Sequence, residues 1–580
     1  MKYCNVTIDG IKVTVPDDMT ILEAAKQAGI LIPTLCHLKD VNAIGACRVC
    51  IVEVSGGKVQ TACSYPVSEG LMVRTNTPKI REKRKTILEM IIANHNAECT
   101  TCVRSQNCEL QNLAMIYGIE DSHFKKRYNL EPVDLSSDSI VRDQSKCILC
   151  GRCVSVCQGV QTVGALGFIG RSVEMHVGPA YEHKLAESVC INCGQCIVNC
   201  PVGALKERDY INEVQTAIDD PTLTVVVQTA PAVRAALGEA FGLQMGTPVT
   251  GKMVASLKRL GFDKVFDTDF AADVCIMEEG TELLNRVRAG THLPLITSCS
   301  PGWIKYAETF YPEVLSHIST CKSPQNMMGA LLKSHYAELN GIDPQNMVVV
   351  SIMPCTAKKF EAGRRELEVE GNRDVDFSLT TRELAKMIKK AGIDFKYLAD
   401  EKFDAFYGES TGAAVIFGAT GGVMEAAVRT IADIMNGTDI KEIDYTVVRG
   451  VQGVKEAKVQ ITPDFTAKVA VAHGGKNIRY VMEKLVNGEM DDYHFIELMA
   501  CPGGCVNGGG QPIVDAKTKM HVDVRVERAK ALYHEDSNVL HYRKSHHNPS
   551  VIKLYETYLE TPNSHRAHHL LHTTYHRRDL

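Results

Sequence analysis

Two rhythms organise the chain. Between about residues 221 and 514, short apolar runs alternate with stretches whose apolar positions return every three or four residues. The runs "TLTVVVQTA", "LPLITSC", "NMVVVSIMPC", "AAVIFGA", "KVAVAHG" and "YHFIELMAC" predict strands, and "SPGWIKYAETFYPEVL", "TTRELAKMIKKAG" and "GKNIRYVMEKLVNG" predict helices. Such alternation predicts an α/β domain with largely parallel strands, in which sites form beyond the carboxyl ends of the strands. Three of these strands run into cysteine, at Cys299, Cys355 and Cys501, with Cys505 close behind, so their thiols are expected to converge.

Ahead of that domain the pattern is finer. "KYCNVTI" and "IKVTV", joined by Asp9-Gly10, predict a hairpin with a two-residue type I′ turn. "TILEAAKQAGI" predicts a short helix capped by Thr20, and "IREKRKTILEMIIANH" a second helix. Beyond residue 515 the chain is helical and rich in histidine, without the one-face rhythm of a metal site; it reads as a solvated or packed extension. The expected segments are 1–80, 81–125, 126–210, 211–514 and 515–580.

Length and charge narrow the class. With 580 residues the chain needs about three or four cores, and a net charge of −5 with mixed signs offers no basic stripe for nucleic acid. The N-terminus lacks an apolar signal region and no window is apolar enough to span a membrane, so a cytoplasmic protein is expected.

The 22 cysteines change the picture most. In a reducing compartment, many thiols at short regular spacing point to metal rather than disulfides. Cys36, Cys47, Cys50 and Cys63 resemble a plant-type 2Fe-2S pattern with a lengthened first gap. His95, Cys99, Cys102 and Cys108 suit zinc or a 4Fe-4S cluster with one imidazole ligand, and spacing alone does not choose. "CILCGRCVSVC" and "CINCGQCIVNCP" both read C-x2-C-x2-C-x3-C, the two-cluster ferredoxin signature, in which the fourth cysteine of each run serves the other cluster. One cluster then takes Cys147, Cys150, Cys153 and Cys200; the other takes Cys157, Cys190, Cys193 and Cys196. Their presence favours clusters at the two N-terminal sites as well, giving one 2Fe-2S and three 4Fe-4S centres.

"TSCSPGW" (297–303), "MPCTAKKFE" (353–361) and "ELMACPGGCVNGGGQP" (497–512) resemble the three signature segments of the iron-only (FeFe) hydrogenases. The resemblance covers nearly the whole chain, through the larger clostridial-type members with four accessory clusters. It implies an α/β catalytic domain of FeFe-hydrogenase type preceded by small α+β ferredoxin-like iron-sulfur domains, and the reaction 2H⁺ + 2e⁻ ⇌ H₂. The cofactor implied is the H-cluster, a 4Fe-4S cube joined to a two-iron unit carrying CO, cyanide and azadithiolate, which maturation proteins would supply. By the same resemblance, Cys355 and Cys501 are cube ligands, Cys505 is shared with the two-iron unit, Lys358 holds a cyanide, and Met353, Met499, Ala230 and Pro231 wall the pocket. Glu282, Ser319, Glu279 and Cys299 match the family's proton relay.

One position departs from the pattern. Where the family has paired cysteines, this chain has Cys299-Ser300, and Pro301 and Trp303 set a register with Cys299 on the relay position and Ser300 on the fourth ligand position. Alkoxide is a poorer iron-sulfur ligand than thiolate, so Ser300 ligating weakly and Cys299 shifting to ligate both stay open. The main expectation is a hydrogenase exchanging electrons with ferredoxin or another low-potential carrier. The alternatives are a catalytic subunit of an NAD(P)-linked assembly, a slowly turning-over hydrogen sensor, and an electron carrier without catalysis. "FGATGGVMEAA" lacks a nucleotide fingerprint and reads as close packing, and Cys4, Cys275 and Cys321 read as structural thiols.

Overall fold

The hairpin forms around Asp9-Gly10. Strand Tyr3–Ile8 pairs antiparallel with Ile11–Pro16, and φ values of 47° and 87° at the two turn residues satisfy a type I′ turn. In the computed structural model, which describes residues 2–127, 132–405 and 407–578, this hairpin belongs to a five-stranded sheet covered by helix Ile21–Gln27. That helix starts with a capping box, Thr20 Oγ1 accepting from Glu23 N while Glu23 reaches back to Thr20 N. Helix Pro78–Ala93 leads into the ferredoxin-like region. There the two cysteine loops each pass through a left-handed glycine, Gly151 (φ 76°) and Gly194 (φ 67°), into the short helices Arg152–Ser155 and Gln195–Asn199.

The α/β domain is built on two four-stranded sheets. In the first, Lys264–Asp267, Thr224–Thr229, Met347–Met353 and Phe377–Thr380 lie side by side and all run parallel. In the second, Leu295–Ile296, Phe495–Met499 and Phe465–His473 are parallel, with Val454–Thr462 as an antiparallel edge. Helix Thr268–Ala289 is buried between them: Phe270 and Val274 pack with Val226 and Val349 of the first sheet, Ala272 and Ile276 with Leu295 and Val469 of the second. A helix covered on nearly all sides carries no clear polar stripe.

One expected strand is corrected. "AAVIFGA" forms helical turns at Gly412–Val415 and Ile416–Gly418, then helix Gly422–Asn436. A short, wholly buried apolar run has no readable period. The glycines beside it are close-packing residues as expected: a Cβ on Gly422 would stand 1.8 Å from the Ile416 carbonyl oxygen. The C-terminal extension is packed rather than solvated, with helices Val524–His534, Pro549–Leu554 and His565–Leu571 on the α/β domain. Its Glu535 joins a buried ion network in which Arg234 holds Asp267 at 2.7 Å, Asp269 at 3.1 Å and Glu535 at 3.3 Å. No helix among the described residues is long and apolar enough to cross a membrane.

Candidate active site and cluster sites

Four strand carboxyl ends, two from each sheet, deliver the site. Thr229 leads into Ala230-Pro231 and Met353 into Pro354-Cys355 from the first sheet; Ile296 leads to Cys299-Ser300 and Met499 to Cys501 and Cys505 from the second. Together they frame a cavity of about 90 Å³, lined by Cys299, Ser300, Cys355, Cys501 and Cys505, with Ala230, Pro231, Met353, Met499 and Lys358 completing the wall. Trp303 fixes the first loop: fully buried, it donates from Nε1 to Thr297 O at 3.2 Å. Ser300 precedes helix Pro301–Phe310, and its Oγ accepts from Ala500 N at 3.3 Å. The Lys358 ammonium is held by Glu361 Oε2 at 2.7 Å and by the Cys299 carbonyl at 3.2 Å.

A polar line leaves this cavity through the long helix. Ser319 Oγ donates to Glu282 Oε2 at 2.8 Å, and Arg286 Nη2 holds Glu282 Oε1 at 2.6 Å. One turn along the same helix face, Glu279 is 2 % exposed, and its Oε1 has no hydrogen-bond partner. Burial first, then the Glu282 charge, pushes Glu279 up to about 8, while its contact with Ser319 acts the other way. Burial and the nearby Glu279 carboxylate likewise raise Cys299 well above an ordinary thiol, keeping it protonated. Glu282, Ser319, Glu279 and Cys299 thus form a series of protonatable groups running to the cavity.

The accessory cysteines also assemble. Cys36 faces Cys47 and Cys63, and the Cys50 and Cys63 sulfurs lie 3.3 Å apart. Cys147, Cys150, Cys153 and Cys200 surround one small cavity, and Cys157, Cys190, Cys193 and Cys196 form a second group beside it. His95 Nδ1 pairs with the Lys146 carbonyl at 3.0 Å, which orients the ring and leaves Nε2 free of that bond, and Cys99 and Cys108 both lie close enough to Cys102 to feel its charge. All 22 cysteines are free of disulfides.

The arrangement is branched, which no spacing reveals. Asn42 Nδ2 donates to both Cys36 O (2.6 Å) and Cys150 O (3.2 Å), while a Cβ on Gly203 would stand 2.6 Å from Cys102 Sγ and Arg104 donates to Cys200 O at 2.6 Å. Both outer sites therefore abut the Cys147 group, which abuts the Cys193 group. Cys193 also lines the large cavity. At that seam Thr356 Oγ1 donates to Asn192 O at 2.7 Å, and a Cβ on Gly509 would come within 2.3 Å of Cys193 O and 2.7 Å of Gly194 Cα.

Three contributors escaped the sequence reading. Arg286 was legible as the i,i+4 partner of Glu282, and Glu361 as the i,i+3 partner of Lys358. Gln325, whose Nε2 donates to Glu361 Oε2 at 3.0 Å, left no local signal. The chemistry of the cavity fits the expected cube: the thiols of Cys355, Cys501 and Cys505, with either the Ser300 hydroxyl or the Cys299 thiol beside them, face an apolar methionine wall.

Five segments match known families: 2–78 a 2Fe-2S iron-sulfur cluster binding domain, 84–123 the NADH-ubiquinone oxidoreductase-G iron-sulfur binding region, 137–206 the ferredoxin-like domain of NADH-quinone oxidoreductase subunit 3, 223–509 the C-terminal domain of the iron only hydrogenase large subunit, and 522–578 the iron hydrogenase small subunit. The chain is 48 % identical to the NADP-reducing hydrogenase subunit HndD of Solidesulfovibrio fructosivorans, covering 100 % of both. It is 42 % identical to iron hydrogenase 1 of Clostridium pasteurianum, covering 98 % of this chain and 99 % of that one. A solved apo [FeFe]-hydrogenase HydA1 from Chlamydomonas reinhardtii superposes with a TM-score of 0.56 at 40 % identity, covering 64 % of this chain and 100 % of that chain.

Proposed function

The chain belongs to the iron-only (FeFe) hydrogenases, oxidoreductases acting on hydrogen, and from that premise we propose how its own residues divide the work. Cys355, Cys501, Cys505 and Ser300 would hold the cube, and Cys505 would be shared with the two-iron unit. When bound, the H-cluster supplies the electrons and the metal at which protons combine. Lys358, oriented by Glu361, would hold a cyanide of the bound group, while Met353, Met499, Ala230 and Pro231 exclude water. Protons travel from Glu282 through the Ser319 hydroxyl to Glu279 and then to the Cys299 thiol. The Cys36 and His95 sites would hold the outer clusters through which electrons could enter, and the Cys193 group, which lines the cavity, would hold the one next to the cube.

The observation that carries this reading is the convergence, on one cavity, of three ligand thiols, a separate protonated thiol with a carboxylate line behind it, and an accessory-cluster cysteine. Hydrogen evolution from reduced methyl viologen by anaerobically matured protein, with infrared bands of CO and cyanide, tests it. Protein made with the maturation machinery but lacking those bands refutes the ligand assignment.

The electron partner is ferredoxin or another low-potential carrier. Full-length similarity to an NADP-reducing hydrogenase subunit favours a second reading, in which partner subunits connect the accessory clusters to NADP. Hydrogen-driven reduction of ferredoxin by the isolated chain supports the first. NADP reduction confined to a co-purified assembly, with ferredoxin inert, supports the second.

A further inference from the structure

The histidine-rich extension meets the proton line. Its backbone pairs with the Ser319 loop: Lys322 N donates to Leu571 O at 2.7 Å and Thr573 N to Thr320 O at 2.8 Å, bridging Cys321 and His572. The Tyr575 hydroxyl donates to Ser319 O at 3.0 Å. His572, 9 % exposed, places Nδ1 2.7 Å from Thr320 Oγ1 and Nε2 3.2 Å from Glu278 Oε2. A ring nitrogen of His572 lies within 4.8 Å of both a Glu282 carboxylate oxygen and the Cys321 thiol, a span one water or the Thr320 hydroxyl can bridge. On the solvent side the exposed His568 ring stacks on His572, with ring centroids 4.0 Å apart.

We propose that His572 is a second proton inlet to Glu282, fed from solvent past His568, and that the segment around it positions Ser319. The proposal rests on the reading of Glu282 and Ser319 as the relay. The charged and titratable groups around the ring are Glu278 and Glu282 from the long helix, with Arg286 behind Glu282 and Tyr555 behind Glu278, Cys321 from the Ser319 loop, and His568 from its own helix, with His565 behind it. In each transfer an imidazolium N–H bond breaks, one proton passes by hydroxyl or water to Glu282, and the neutral imidazole regains a proton from solvent. A buried histidine bonded to a carboxylate and reached from solvent suits that cycle.

The test uses the full-length matured enzyme and hydrogen evolution between pH 6 and 8. His572→Gln, which keeps a hydrogen-bonding side chain, is expected to lower the rate about 3- to 10-fold and enlarge the solvent isotope effect; His572→Ala is expected to regain at least half its lost rate with added imidazole. An unchanged rate in His572→Gln overturns the proposal. So does a lowered rate with an unaltered pH profile and isotope effect and no imidazole rescue, which is a packing role alone. Should His572→Ala fail to fold, the isotope effect of His572→Gln decides. Glu282→Gln separates the premises: full activity there refutes the relay itself rather than the inlet.

Discussion

Glu279→Gln isolates proton transfer from architecture. The two side chains have nearly the same shape, but only glutamate can release a proton. Burial moves the Glu279 carboxyl from 4.5 to about 8, so holding it ionised inside the protein costs up to about 5 kcal/mol. Its folded pKa lies above its unfolded one; the folded state therefore binds the extra proton between about pH 4.5 and 8, and stability falls as pH rises through that window. Glutamine removes that slope. The expected outcome is a loss of about 10²- to 10⁴-fold in hydrogen evolution, unchanged CO and cyanide bands, and a melting temperature that rises relative to the parent on going from pH 5 to pH 8. Gas chromatography of evolved hydrogen, infrared spectroscopy and thermal melts at both pH values check the three parts. A variant retaining more than a third of parental turnover refutes the relay through Glu279, and a parental pH slope of stability refutes its neutral buried state.

Three other outcomes follow from the geometry. Ser300→Ala should lower the iron content of the catalytic cube in unmatured protein while Cys299→Ala leaves it intact; the reverse pattern makes Cys299 the ligand. Trp303→Ala, at a fully buried side chain that closes the first loop, should destabilise the α/β domain by about 3–5 kcal/mol, seen as a lower urea midpoint of its transition. Gly509→Ala must push backbone aside at the Cys193 loop, and a loss of about 1–3 kcal/mol with slower electron entry from the accessory clusters is expected in single-turnover spectroscopy.

The sequence carried the chemistry further than the shape. Cysteine spacing is set by cluster size, so the two C-x2-C-x2-C-x3-C runs announced their grouping, and alternation across Asp9-Gly10 announced a hairpin. Strand ends at Cys299, Cys355 and Cys501 announced a shared cavity because parallel sheets place their loops on one side. "AAVIFGA" misled because burial on all sides erases the period that distinguishes helix from strand. Edge strand Val454–Thr462 and strand Lys264–Asp267 were missed amid flanking polar residues. The branching of the accessory sites was beyond reach, since it depends on long-range contacts of Asn42 and Gly203 that leave no local spacing.

The glycine contact at the Cys193 seam bears on exchanging parts between such enzymes. The Chlamydomonas reinhardtii chain matches 64 % of this one with the whole of its own length. Two backbones meet here without side chains, Gly194 against Gly509, and Thr356 reads a carbonyl beside them. A transplanted module therefore fits only when it presents glycine at the matching position and an unobstructed carbonyl two residues earlier. Compatibility between donor and recipient is decided by a missing methyl group on each side.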